Sequence, residues 1–418
     1  MLESLYNSFL VEVLPTVISI IIYLSPLVLT YILWIIFWPL WLDYIQSGFI
    51  LSLKYTLLEI RLPKDIYKSP LAMEVFLNSI YNASDGNKFN RWWKGELRPE
   101  YSLELVSLGG RVKFFIRTED RRKSNLMSAL YSQFPGIEIT EVEDYTKPFV
   151  FDPKVWRIWG GEFIFTKKNA YPIKTYVDYG LDKDPKEEYK VDPLVPFIEF
   201  LGSLDPEQQI WIQFVVRGHK GDDHKPGTLF GETDAWKDEA KKEINDILIR
   251  DSKTKIAGKD KDGKGQALSI TEGEKEIVYA LEKSISKTPF EVGIRALYID
   301  KKDKFNPPFG SGGINAGFKH FGSEHLNGFK TNGDKWHPSM KGVPWEDPAN
   351  KKRDKYGAGI LDAYKRRCFF HAPWTSKFVI LNSEELATVY HFPGQVAGTP
   401  TLDRVPSKKG EAPSNLPI

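Results

Sequence analysis

Hydrophobic positions at the start of the chain show no period; they are continuous. From Val13 to Leu42, thirty residues between Glu12 and Asp43, the only ionisable groups are tyrosine phenols. As one helix that run is about 45 Å long, against a hydrocarbon core of about 30 Å. It predicts a membrane-spanning helix, tilted or bent, with Pro26 supplying a bend that a membrane helix tolerates. Trp34, Trp38, Trp41 and Tyr44 cluster toward its C-terminal end, where amphipathic rings anchor at an interface. A core helix of a soluble domain rarely runs this far without a charge. A cleaved signal peptide fits worse, because Glu3 and Glu12 precede the run and no Lys or Arg does. The basic residues Lys54, Arg61, Lys64 and Lys68 follow the run, which places the N-terminus outside and the bulk of the chain in the cytoplasm. A re-entrant hairpin with Pro26 at its tip is the alternative topology.

Beyond the run, Tyr44 to Leu53 is apolar and predicts a juxtamembrane segment. Tyr55–Leu62 alternates as a strand. Ser69-Pro70 has the form of a helix start, opening a helix through about Tyr81. Tyr101–Leu108 and Arg111–Thr118 flank Gly109-Gly110, a hairpin with a two-residue turn. Asp120–Phe134 reads as a helix and Ile137–Val142 as a strand, so the order is βαββαβ, the ferredoxin-like arrangement.

The same order recurs. Glu162–Phe165 and Ile173–Val177 read as paired strands, Pro193–Leu201 as a helix, and Gln208–Val216 as a strand. Thr288–Ile299 is a further strand, Ile314–Gly328 a helix and Lys377–Leu381 the closing strand. The insertion at about 234–286 holds two helices, Asp234–Arg250 and Thr271–Ser286, around the polar loop Asp251–Gly265. The expected fold is therefore α+β: an N-terminal transmembrane helix and two ferredoxin-like (βαββαβ) domains, the second with a helical insertion. The expected boundaries are 1–53 for the anchor, 54–147 and 148–393 for the two domains, and 394–418 for an extended tail.

Composition changes this picture little. The 418 residues are 42% hydrophobic and 14% aromatic, enough for real cores. A net charge of +2 gives no whole-chain argument for an anionic partner. The single Cys368 excludes an intrachain disulfide and any cysteine zinc site, which suits a reducing compartment.

Candidate chemistry is sparse. Gly258 to Gly265 superficially resembles a phosphate-binding loop, but Gly265 stands where Ser or Thr must hold magnesium, and no apolar strand precedes it. His219, Asp222, Asp223 and His224 are possible metal ligands, although such residues in a loop are ordinarily only solvated. His320 and His325 are five apart and do not share a helix face. Gly310-Ser311-Gly312-Gly313 precedes the expected helix and reads as an amide nest for an anion or, more plainly, a flexible lead-in. Lys351 to Arg367 carries Lys351, Lys352, Arg353, Lys355, Lys365, Arg366 and Arg367 against Asp354 and Asp362, with Tyr356, Tyr364, Phe369 and Phe370 beside it. Such a pattern holds phosphates and stacks on bases, or forms a solvated face near anionic lipid or an acidic partner; the second reading is favoured. No cofactor and no catalytic set is expected.

Near the C-terminus, Asn382 and Glu385 have the spacing of a capping box, with Glu384 and Glu385 at the positive helix end. Leu386, Val389, Tyr390 and Phe392 give the helix an apolar side, and Pro393-Gly394 stops it. The segments LLEIRLPKDIYKSPLAMEVFLNSIY, ALYSQFPGIEITEVEDY, FEVGIRALYI and KFVILNSEELATVYHFPG, followed by TPTLDRVPSKKGEAPSNLPI, resemble the region preceding the motor domain in membrane-anchored conjugation and type IV secretion ATPases of bacteria. The resemblance is spread over almost the whole chain and is most distinctive at EELATVYHFP. In that family such a run leads into the nucleotide-binding domain, and these 418 residues contain neither Walker motif. The resemblance therefore implies a non-catalytic scaffold in the bacterial inner membrane, oligomeric in its assembly, which docks a separate motor ATPase and other channel subunits. The docking residues it suggests are Glu384, Glu385, Leu386, Tyr390, His391, Phe392 and Leu416. The alternative is a membrane-tethered enzyme or nucleic-acid-binding protein whose site is assembled only in the fold.

Overall fold

The computed structural model describes residues 14–63, 68–183, 191–221, 233–257, 271–332, 351–394 and 404–405. The chain forms two units, Met1–Leu53 with Asp85–Leu97, and Lys54–Ser84 with Arg98–Ile418.

The first unit is built on one helix, α1 (Leu14–Ser52), which contains Pro26 and Pro39. The apolar run and the expected juxtamembrane segment are thus one continuous helix. Its stretch Ile22–Ser52 is long and apolar enough to cross a membrane, with a mean hydropathy of 1.7. Beside it the unit holds the short helix α3 (Lys88–Trp93), capped by the Asn87 side chain on the Asn90 amide.

The second unit begins with β1 (Tyr55–Pro63) and α2 (Leu71–Ile80). The hairpin β2 (Glu100–Leu108) and β3 (Arg111–Glu119) follows, then α4 (Lys123–Gln133) and β4 (Glu138–Val142). The hairpin turns on Gly109 and Gly110, whose φ values of 59° and 81° suit glycine and the twist of a tight turn. Then come β5 (Trp156–Phe165), α5 (Val195–Gly202) and β6 (Gln209–Gly218). The insertion helices are α6 (Ala235–Ala257) and α7 (Glu272–Ile285). After them lie β7 (Pro289–Lys301), α8 (Pro307–Lys319), β8 (Phe329–Thr331), α9 (Lys351–Arg366), β9 (Val379–Asn382), α10 (Ser383–Val389) and β10 (Arg404–Val405).

Among the described residues the strands join one ten-stranded sheet, ordered β10-β1-β3-β2-β6-β7-β5-β8, with β4 also on β1 and β9 also on β7. Every pairing is antiparallel except β1 with β10. The halves meet along β2 and β6, in register from Glu100 with Arg217 to Leu108 with Gln209.

Strand alternation sends one set of side chains to each face. On one face Leu103, Leu105, Phe114, Ile116, Ile212 and Phe214 pack with Phe76 and Leu77 of α2, Leu130 of α4, Phe197 of α5, Phe318 of α8 and Leu386 of α10. On the other, Val106, Phe115, Trp211, Leu297 and Ile299 meet Ile360, Leu361 and Tyr364 of α9.

Three expectations in the second half change. Ile173–Val177 is not a strand; β5 pairs instead with β7 and β8. The strand near Lys377 pairs with the start of β7, so it does not flank β5. The helix expected from Ile314 begins at Pro307 and ends at Lys319, which puts Gly310–Gly313 inside it. Their amides are spent on helix bonds and cannot form an anion nest. The glycines let rings press on the helix: a Cβ at Gly313 would lie 2.0 Å from the Phe200 ring and one at Gly317 2.4 Å from Phe197.

Candidate functional site

The richest polar constellation surrounds the N-terminus of α10. Asn382 caps the helix through the Glu385 amide, and Glu385 returns a bond to the Asn382 backbone, the capping box expected from their spacing. This start lies inside the protein. Glu384, Glu385, Leu386, Tyr390, His391 and Phe392 are all at most 2% exposed. They hold the interior together and do not form a docking surface. Leu416 lies outside the described residues.

Each of these side chains has an internal partner. Glu385 accepts from the Ile173 amide at 2.8 Å and the Asn382 amide at 2.8 Å. Burial outweighs those two donors and pushes its carboxyl up to about 8. Glu384 accepts from Thr175 Oγ1 at 2.5 Å and Lys283 Nζ at 2.8 Å through one oxygen, and pairs with Lys287 Nζ at 2.6 Å through the other. Burial alone would raise its pKa, but the two lysines and Thr175 together hold it below the usual carboxylate range. Lys287 also bonds Glu74 of α2 at 2.7 Å, whose other oxygen accepts from Tyr176 at 2.7 Å. Ser383 adds a bond to Glu74 at 3.1 Å. Tyr390 donates to the Phe115 carbonyl at 3.2 Å, and the Phe392 ring sits 5.4 Å from Phe114 and 4.9 Å from Phe134.

His391 closes the segment. Its Nδ1 faces the Ala387 and Thr388 carbonyls at 3.0 and 3.2 Å, and its Nε2 faces Asp192 at 3.0 Å. Acceptors on both nitrogens suit the imidazolium. Burial works against that charge, but Asp192 and the carbonyls raise the His391 pKa overall.

A cleft of about 420 Å³ opens over this network, lined among others by Thr175, Asp178, Tyr279, Lys283, His325 and Glu384. Its chemistry is that of holding. Burial would lower the Lys287 pKa, yet the two carboxylates raise it, so the amine stays protonated and is no nucleophile. Glu74 and Glu384 balance Lys283 and Lys287. The cluster ties α7, α2, the 172–178 segment and α10 together.

The basic stretch does not form one surface. Lys351 and Lys352 are exposed and Arg353 is half-buried. Lys365 donates to the Phe149 carbonyl at 2.5 Å, and Arg366 pairs with Asp362 at 2.8 Å. Arg367 turns inward. It ends α9 with φ 55°, its amide bonded to the Tyr364 carbonyl at 3.0 Å and that of Cys368 to Ala363 at 3.0 Å. That pair of bonds is a Schellman turn with arginine where glycine is usual. Its guanidinium grips Glu104 through Nε at 2.9 Å and Nη2 at 3.2 Å, and it also bonds Asp144. Tyr145 and Ser102 each donate to Glu104 at 2.7 Å. The aromatics are equally occupied: Tyr364, Phe369 and Phe370 are buried, and Tyr356 donates to the Gly160 carbonyl at 3.2 Å. Arg367 is thus unavailable to nucleic acid.

His219 bridges Glu291 at 3.1 Å and Asp234 at 3.3 Å, while Asp222, Asp223 and His224 lie outside the described residues. The loop Gly258–Gly265 lies outside them too. Among the described residues no group of three or more His, Cys, Asp or Glu is placed to hold a metal ion. His320 follows the last turn of α8 and His325 lies in the loop beyond.

Over residues 52–308 the chain matches the family described as Domain of unknown function (DUF8128), and it belongs to that family. No curated protein matches it.

Proposed function

We propose that this member of the DUF8128 family is a non-catalytic, membrane-anchored scaffold that seats a motor ATPase carried on another chain, in conjugative DNA transfer, type IV secretion or pilus assembly. The observation that carries the reading is the pairing of an apolar helix, α1, with a large sheet unit whose interior charges satisfy one another. Glu74, Glu104 and Glu384 are spent on internal ion pairs, which suits a rigid platform better than a reaction centre. The anchor sits in the bacterial inner membrane with the sheet unit in the cytoplasm, as the charges flanking the apolar run suggest. The sheet unit is two ferredoxin-like halves fused edge to edge: the orders β4-β1-β3-β2 and β8-β5-β7-β6 support this. The scaffold works as an oligomer with other channel subunits.

Burial of residues 384–392 moves the docking role outward, to the chain that follows them. That segment roots the tail, and β10 pairs the tail to the edge of β1 at Leu62 and Pro63. Co-purification from detergent-solubilised membranes tests the reading. Removing residues 406–418 is expected to leave the protein in the membrane and to abolish recovery of the ATPase. Undiminished recovery would overturn the docking role.

The cleft at Lys283 favours a second reading, a membrane-tethered binder of a small ligand. Thermal stabilisation of the wild-type protein by a small anion such as inorganic phosphate, lost in Lys283→Ala with the fold unchanged, would support that reading.

A further inference from the structure

The short helix α3 has no role in the reading above, yet its placement against α1 is specific. Trp41 Nε1 donates to the Trp92 carbonyl at 3.0 Å. The Trp38 and Trp92 rings meet edge to face at 5.8 Å, as do Trp41 and Trp93 at 5.9 Å. Gly95, at φ 68°, lets the backbone close on α1: a Cβ there would lie 2.4 Å from the Ile45 carbonyl oxygen. So α3 is pinned beside residues 38–45 of α1. The contact with α1 leaves part of α3 exposed. Phe89 and Trp93, one turn apart on a common face, are each 59% exposed, with Lys88 and Lys94 exposed beside them. Arg91 is held by Asp85 at 3.0 Å.

We propose that α3 is an interfacial element whose Phe89–Trp93 face enters the headgroup region of a lipid bilayer and fixes the depth of α1. This rests on the reading of α1 as a membrane span and goes beyond it. Counting about twenty residues back from Trp41 reaches Ile22, so a bilayer core spanned by Ile22–Trp41 puts residues 38–45 at the interface. There α3 extends the aromatic band of Trp34, Trp38, Trp41 and Tyr44 sideways. Exposed aromatics flanked by lysines suit the boundary between acyl chains and anionic headgroups. The partner this face fits is the lipid surface, because the face is continuous with the lipid-exposed rings of α1.

The test uses the full chain in a Cys368→Ser background, reconstituted in vesicles of phosphatidylcholine with some phosphatidylglycerol. Single cysteines at Leu33, Phe89 and Tyr279 carry a fluorophore, and nitroxides sit either on the lipid headgroup or in mid-chain. Position 33 is expected to be quenched by the mid-chain nitroxide and position 279 by neither. Position 89 is expected to lose about half its emission to the headgroup nitroxide. Position 33 quenched with 89 behaving like 279 would overturn this inference alone. Position 33 unquenched would overturn the membrane span itself. A mutation-free measurement covers labelled variants that misfold: wild-type protein is crosslinked to a headgroup-photoactivatable lipid and the adducts mapped. Adducts within Lys88–Lys94 support the inference; adducts confined to α1 overturn it.

Discussion

Substituting Arg367 by glycine sets two effects against each other, and the structure says which wins. A left-handed conformation costs a non-glycine residue about 1–2 kcal/mol, so glycine at φ 55° would relieve strain and improve the helix end. The same change deletes the partner of Glu104, which is 0% exposed and sits opposite a guanidinium 2% exposed. Breaking such a pair costs about 3–5 kcal/mol, because the surviving charge is left buried. The expected net effect is therefore a loss of about 1–4 kcal/mol. Arg367→Ala loses the pair and keeps the strain, so it should be about 1 kcal/mol worse than glycine. Combining Arg367→Gly with Glu104→Gln should recover part of the loss, since the fully buried carboxylate is then gone and only the less buried Asp144 has lost its arginine. Thermal unfolding of the full chain in detergent, followed by tryptophan fluorescence, measures all four proteins. An Arg367→Gly protein as stable as the wild type would refute the argument.

Other outcomes follow from the same structure. The Glu385 carboxyl, raised to about 8, favours folding in its protonated form, so its contribution is full below about 4.3 and is lost as pH rises toward 8. Wild-type stability relative to Glu385→Gln should therefore fall across that window, and parallel curves would contradict it. For His391, whose pKa is raised, the contribution is full below about 6.5 and lost as pH climbs through the folded value. Asp192→Asn should thus lower the melting temperature more at pH 6 than at pH 9. Gly317→Ala, which drives a methyl onto the buried Phe197 ring, should cost about 1–3 kcal/mol. Gly312→Ala, with nothing within 4 Å of its Cβ, should gain about 0.5–1 kcal/mol in a chemical melt.

The sequence revealed elements better than their companions. Alternation placed β1, the β2–β3 hairpin, β6 and β7 because each buries a face against helices whose own periods are clear. The join of β2 to β6 leaves no local mark, since two buried strands look alike whether they pair with each other or with others. β8 is three residues long, too short for a period, so the sequence offers the strand near Lys377 in its place. Glycines within Pro307–Lys319 signalled a loop because propensity is blind to the rings that need them. At α10 the capping spacing was legible, and its burial was not: Glu384 and Glu385 look like surface residues until Lys283, Lys287 and the Ile173 amide are seen around them. Arg367 was hidden for the same reason, a basic residue at the end of a basic run.

The β2–β6 seam also bears on synthesis. Until Gly218 has left the ribosome, Glu100–Leu108 is an edge with its hydrogen-bonding groups unpaired on one side. Such an edge is a template for pairing with other chains. A nascent chain halted near residue 147 would carry that edge permanently. Expression of the first half alone should therefore yield aggregates, and the strand order makes the second half the natural cover for the first.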